Sequence, residues 1–114
     1  MNYLKDIAII PSKEFTASGN SAVLDVSDVD ALKIKLVASA KSGTSPTMDF
    51  TIRDSEDGTT FDLHSAIAQI TDNGTTIVRV DKFTRFIRID GVLGGSNTPK
   101  MTVVATAVGI RHVG

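Results

Sequence analysis

Along most of the chain, apolar and polar residues alternate with a period of two, and clusters of Gly, Pro, Ser, Asn and Asp separate the alternating stretches. In "ALKIKLVAS", Leu32, Ile34 and Leu36 alternate with Lys33 and Lys35. An extended strand there turns one face to a core and holds solvated ammonium groups on the other. "TMDFTIRD" does the same with Met48, Phe50 and Ile52 against Asp49, Thr51 and Arg53. "TTIVRV" and "RFIRIDGVL" continue it through Val78, Val80, Ile87 and Ile89, and no window carries a 3.6-residue apolar stripe longer than a turn or two. The pattern predicts an all-β chain.

"KMTVVATAVGI" differs in being apolar or small on both faces. If Met101, Val103, Ala105 and Ala107 face the core, Val104 and Val108 point outward beside Thr102 and Thr106, which suits a strand covered by a neighbouring strand or a sister subunit. Weaker strands are expected at "AVLDVS" and "FDLHSAIAQI", the second with room for a short helical turn over 64–68. About seven to nine short antiparallel strands separated by turn signals predict a single β-sandwich of jelly-roll or immunoglobulin-like connectivity. Residues 1–14 read as a short extended N-terminal arm, because "DIAIIP" is an apolar run closed by Pro11 ahead of the polar "SKEF", and residues 15–114 read as the sandwich. Ile7, Ile9 and Ile10 of the arm, with Val104 and Val108, are the candidate partner-contact residues. "SGTSPTMDFTI" and "GGSNTPKMTVV" echo each other, each with Gly and Ser/Thr ahead of a Pro and a Met two residues later, and predict two similar hairpin corners.

Composition narrows the function. A chain of 114 residues with 41% apolar content suffices for one core. Twelve Lys plus Arg against thirteen Asp plus Glu leave a net charge of −1, which provides no basic field for nucleic acid. There is no Cys, so disulfides, thiolate chemistry and Cys-based zinc sites are out. No apolar run approaches the length of a membrane span, and "MNYLKDIAIIPSKEF" lacks the features of a secretory leader, so synthesis in a cytoplasm and no membrane partner are expected. The absence of Trp, with one Tyr and five Phe, argues against stacking platforms for sugars or bases.

The densest collection of ligand-type side chains is "RDSEDGTTFDL", with Asp54, Glu56, Asp57 and Asp62. Counting back from Gly58 as the sixth position of a calcium loop puts Arg53 at the first, where a cation would be repelled. Asp57 and Gly58 are adjacent, whereas the Asp-box of sialidase-like hairpins separates Asp and Gly by one residue. The stretch therefore reads as a strand, an Asp-Gly turn and a returning strand, without a metal. His64 and His112 are far apart in sequence and have no nucleophile motif to serve. "GVLGGSN" lacks the Lys-Ser/Thr ending of a phosphate loop and precedes another β-pattern, so it reads as a hairpin loop. Neither catalysis nor a cofactor is expected.

The Gly-Thr-Ser-Pro corner, the "DSEDGTTF" hairpin, the "RFIR" strand and the Gly-Gly-Ser-Asn-Thr-Pro corner, spread from Leu24 to Gly109, resemble small structural proteins of tailed-bacteriophage and prophage virions. Phe61 stands where such proteins frequently have Trp. The chain is similar to capsid decoration, or cement, proteins. That resemblance implies a non-enzymatic β-sandwich on the outer head surface, a homo-oligomer with a trimer favoured, and the major capsid protein as partner. The alternatives are a carbohydrate-binding module of a tail or fibre and a tail, connector or head-completion structural protein.

Overall fold

The computed structural model describes the backbone from Asn2 to His112 and the side chains from Leu4 to Arg111. The described residues contain seven β-strands and no helix: β1 (Asn2–Phe15), β2 (Gly19–Asn20), β3 (Leu24–Asp25), β4 (Ala31–Ser55), β5 (Asp62–Ala66), β6 (Gly74–Asp81) and β7 (Phe86–His112). All pairings are antiparallel, and they join the strands into one sheet. The chain is therefore all-β, as the period-two pattern predicts.

Two strands organise this sheet. β4 has 25 residues and β7 has 27, and they lie side by side from Ala31↔Ile110 to Ser55↔Phe86. Each alternates inward and outward at both ends, but the middle is exposed and the register slips between Ser39 and Thr47. There the ribbon bends and the sheet folds back on itself. One half of the ribbon carries β1 and β6 on its flanks, giving the order β1-β7-β4-β6. The other half carries β2 and β3 beside β7 and β5 beside β4. Leu32, Ile34, Leu36, Met101, Val103 and Ala105 from the first half and Met48, Phe50, Ile52, Ile87 and Ile89 from the second form one buried cluster. Phe15 meets Phe50 edge to face across it, with ring centroids 5.9 Å apart. This is a β-sandwich built from a single folded sheet.

Several expectations change in detail. "ALKIKLVAS" and "TMDFTIRD" are not separate strands but the two ends of β4, and "RFIRIDGVL" and "KMTVVATAVGI" are likewise the two ends of β7. The two Gly/Pro corners are accordingly not hairpin turns, since the chain keeps its direction through them while crossing from layer to layer. "GVLGGSN" is part of β7 rather than a hairpin loop. No helical turn forms over 64–68, where β5 ends at Ala66 and Ile67 donates its N–H to the carbonyl of Phe50.

Of the segment expected as an arm, residues 1–14, the described residues 2–14 lie within β1, which runs along β7 from Asn2↔His112 to Phe15↔Met101. A register slip between Ala8 and Ile10 brings two consecutive side chains inward, and Ile9 and Ile10 are only 2% and 4% exposed. The gain from burying them holds the segment on its own sheet.

Candidate functional site

The "RDSEDGTTFDL" hairpin gathers Asp54, Glu56, Asp57 and Asp62. β4 pairs with β5 as Asp54↔Asp62 and Arg53↔Leu63, and the chain reverses over 56–61, as the Asp-Gly signal predicts. Within the turn, Asp57 Oδ1 accepts the Ser55 hydroxyl at 2.9 Å and the backbone N–H groups of Thr59 and Thr60 at 2.8 and 2.9 Å. Those amide bonds, the one from Thr60 foremost, lower the Asp57 carboxyl to about 2. The buried Ser55 hydroxyl also accepts the N–H of Gly58 at 2.9 Å. Asp54 is engaged too, through Oδ2, by the N–H and hydroxyl of Thr84 at 3.0 and 3.1 Å. These carboxylates cap backbone.

The histidines are not brought into a catalytic arrangement. His64 Nε2 lies 2.7 Å from the carbonyl oxygen of Asp81, which can only accept, so Nε2 donates, and Nδ1 lies 3.1 Å from the Ser65 hydroxyl. The ring ties β5 to the end of β6. The side chain of His112 lies outside the described residues.

The outer faces of the two layers differ in how their cations are paired. On the layer carrying β5, Arg53 and Arg88 stand directly opposite each other, a destabilising pairing of like charges. Asp90 resolves it: Arg88 makes a two-pronged contact to its oxygens at 2.6 and 2.9 Å, and Arg53 Nε approaches at 3.1 Å. The carboxylate beside it holds the Arg88 guanidinium in its charged form. Arg88 also covers the Phe61 ring at 4.4 Å, while Leu63 and Val92 on the same side are 59% and 56% exposed.

The outer face of the β1-β7-β4-β6 layer is open and mixed, with apolar residues interspersed among Asp6, Lys33, Lys35 and Arg79. Val104 and Val108 point outward and are half-buried, with Thr106 exposed between them, as the facing assigned from sequence requires. Val104 lies opposite Val37, and Ile110 lies between Ala31 on β4 and Leu4 on β1. Leu4 is 63% exposed and Ile77, on β6, 54%. Of the other candidate contact residues, Ile9 and Ile10 belong to the chain's own core, and Ile7 packs against it. Sequence reasoning missed Leu4 and Ile77, each a single apolar residue in an otherwise polar alternation. Only the register places them on the same surface as Val104 and Val108.

No family model matches the chain, and no curated protein matches its sequence. Solved structures do resemble it in fold. A chain of infectious bursal disease virus, Gx strain, aligns with a TM-score of 0.67 at 12% identity over 99% of this chain and 33% of that one. The PBSX exported protein XepA aligns at 0.62 and 12% identity, covering 100% of this chain and 38% of that one. The SPBc2 prophage-derived protein YomS aligns at 0.53 and 16% identity, covering 95% of both. The chain thus spans about a third of the first two chains and nearly all of the third. Structural neighbours of viral and prophage origin share its sandwich.

Proposed function

We propose that this chain is a non-enzymatic structural protein of a phage virion, and specifically a head decoration protein that binds the outer capsid surface and bridges copies of the major capsid protein. The observation that carries this reading is the open face on which Leu4 lies opposite Ile110, next to Val108, and Val37 lies opposite Val104, two apolar groups on three paired strands. Exposed apolar groups of this kind favour burial against protein. The fold shared with viral and prophage proteins supports the same class of role.

A homo-oligomer fits the surface, and charge favours a ring over a face-to-face dimer. Lys33, Lys35 and Arg79 lie on the same open face, so stacking two copies through it would bring cations together. A cyclic trimer uses two different patches at each contact, which lets the Val104 and Val108 side meet another surface. Three linked copies would also turn modest individual contacts into firm capsid binding.

The test is incorporation of purified protein into heads lacking it, followed by cryo-electron microscopy of the particles. Density on the outer shell between capsid subunits is expected. Density confined to the tail or connector would assign the chain to tail or head-completion structure instead. Failure to bind heads would end the decoration reading.

A further inference from the structure

A two-layer sandwich presents exposed strand edges, and in this protein they are managed unequally. β1 is interrupted by register slips at Ala8/Ile10 and Ile10/Lys13 and contains Pro11, which cannot donate a ladder hydrogen bond. β5 is five residues long with a slip of its own, and β2 and β3 have two residues each. β6 is the exception. Its eight residues pair with β4 in unbroken register from Ala31↔Asp81 to Ala38↔Gly74, it contains neither Pro nor a bulge, and no other described strand pairs with it. Its inward side, Thr76, Val78 and Val80, is apolar or uncharged, so no inward-pointing charge deters an added strand.

Charge marks out what kind of strand would be accepted. Arg79 lies directly opposite Lys33, and Lys35 lies opposite Ile77, so three cations share the outer surface beside this edge. Like charges facing each other across a ladder are unfavourable unless an anion joins them. On the other layer Asp90 does this for Arg53 and Arg88, whereas no side-chain ion pair or hydrogen bond engages Lys33, Lys35 or Arg79 among the described residues.

We infer that the free edge of β6 receives an extended segment of a partner protein by strand addition, with acidic side chains on its outer face supplying the anions that Arg79 and Lys33 lack. Backbone hydrogen bonds to β6 supply the affinity, and the Arg79/Lys33 pair selects acidic over basic segments. The inference concerns the free protein's edge and holds or fails independently of any capsid role.

The probes are two synthetic octapeptides, one alternating Glu and Val and the other alternating Lys and Val, titrated into the intact protein and followed by backbone amide exchange in NMR. The Glu-Val peptide should bind and slow exchange at alternate amides within residues 74–81, and the Lys-Val peptide should bind at least tenfold more weakly. Arg79→Glu, on an exposed position, should keep the fold and weaken the Glu-Val peptide by about tenfold, as expected when a favourable cross-strand pair becomes a repulsive one. Equal binding of both peptides, protection elsewhere in the molecule, no binding of the Glu-Val peptide at millimolar concentration, or a dimer of this chain that itself protects the β6 amides would each overturn the inference.

Discussion

Gly43 and Pro99 stand back to back where β4 and β7 bend between layers: a Cβ on Gly43 would lie 2.8 Å from the Cα of Pro99. The relationship is reciprocal, since a Cβ on Gly95 would lie 3.0 Å from the Cα of Pro46 and 2.9 Å from the carbonyl oxygen of Ser45. Asn97 Nδ2 donates to the hydroxyl of Thr44 at 2.6 Å between them. The two echoing segments are therefore the two strands of one bend, each supplying the glycine that the other's proline requires.

Gly43→Ala and Gly95→Ala should each destabilise the fold, by roughly 1–3 kcal/mol, through contact with backbone and through positive φ values of 91° and 116°. Gly74→Ala is the control: its φ is 150° but nothing lies within 4 Å of the added methyl, so it should cost less than either. Urea denaturation of the three variants provides the comparison. Equal losses at all three would mean that the close approach at the bend is of no consequence.

Ile9→Ala should lower stability by about 2–5 kcal/mol, the range for emptying a large side chain from a packed core. Leu4→Ser, on the exposed part of the same strand, should shift it by no more than roughly 0.5 kcal/mol. Thermal melts distinguish a β1 integral to the core from an arm that merely lies against it, because an arm would tolerate both changes alike.

Acid should loosen the 55–62 hairpin. The Asp57 carboxyl is lowered from 3.8 to about 2, so its ionised form is favoured by folding. That contribution is complete above the unfolded value and disappears as pH falls from about 4 through about 2. Asp57→Asn should lower the melting temperature at pH 7 and flatten this part of the acid profile. Parallel profiles for Asp57→Asn and the unmodified chain would show that the amide bonds to Asp57 leave stability unaffected.

Val104→Lys and Val108→Lys should leave the fold intact, since both side chains point away from the core, and should dissociate any oligomer observed by sedimentation at micromolar concentration. A variant oligomer as large as that of the unmodified chain would place the subunit contact on another surface.

Alternation was enough to establish the all-β class and the inward facing of Met101, Val103, Ala105 and Ala107, and the Asp-Gly pair was enough for the turn at Asp57 and Gly58. Each of these depends on a local property: the two-residue repeat of a strand, or the conformations that Asp and Gly tolerate. Alternation says which way a side chain points but not which strand lies beside it, and a bend that keeps chain direction carries the same Gly and Pro signals as a hairpin. The merging of four strand patterns into β4 and β7, the seating of Ile9 and Ile10 in the core, the Asp90 bridge between Arg53 and Arg88, and the exposure of β6 as an open edge all follow from long-range pairing. Tertiary structure alone decided these, because they depend on which residues the folded sheet sets side by side across the whole length of the chain.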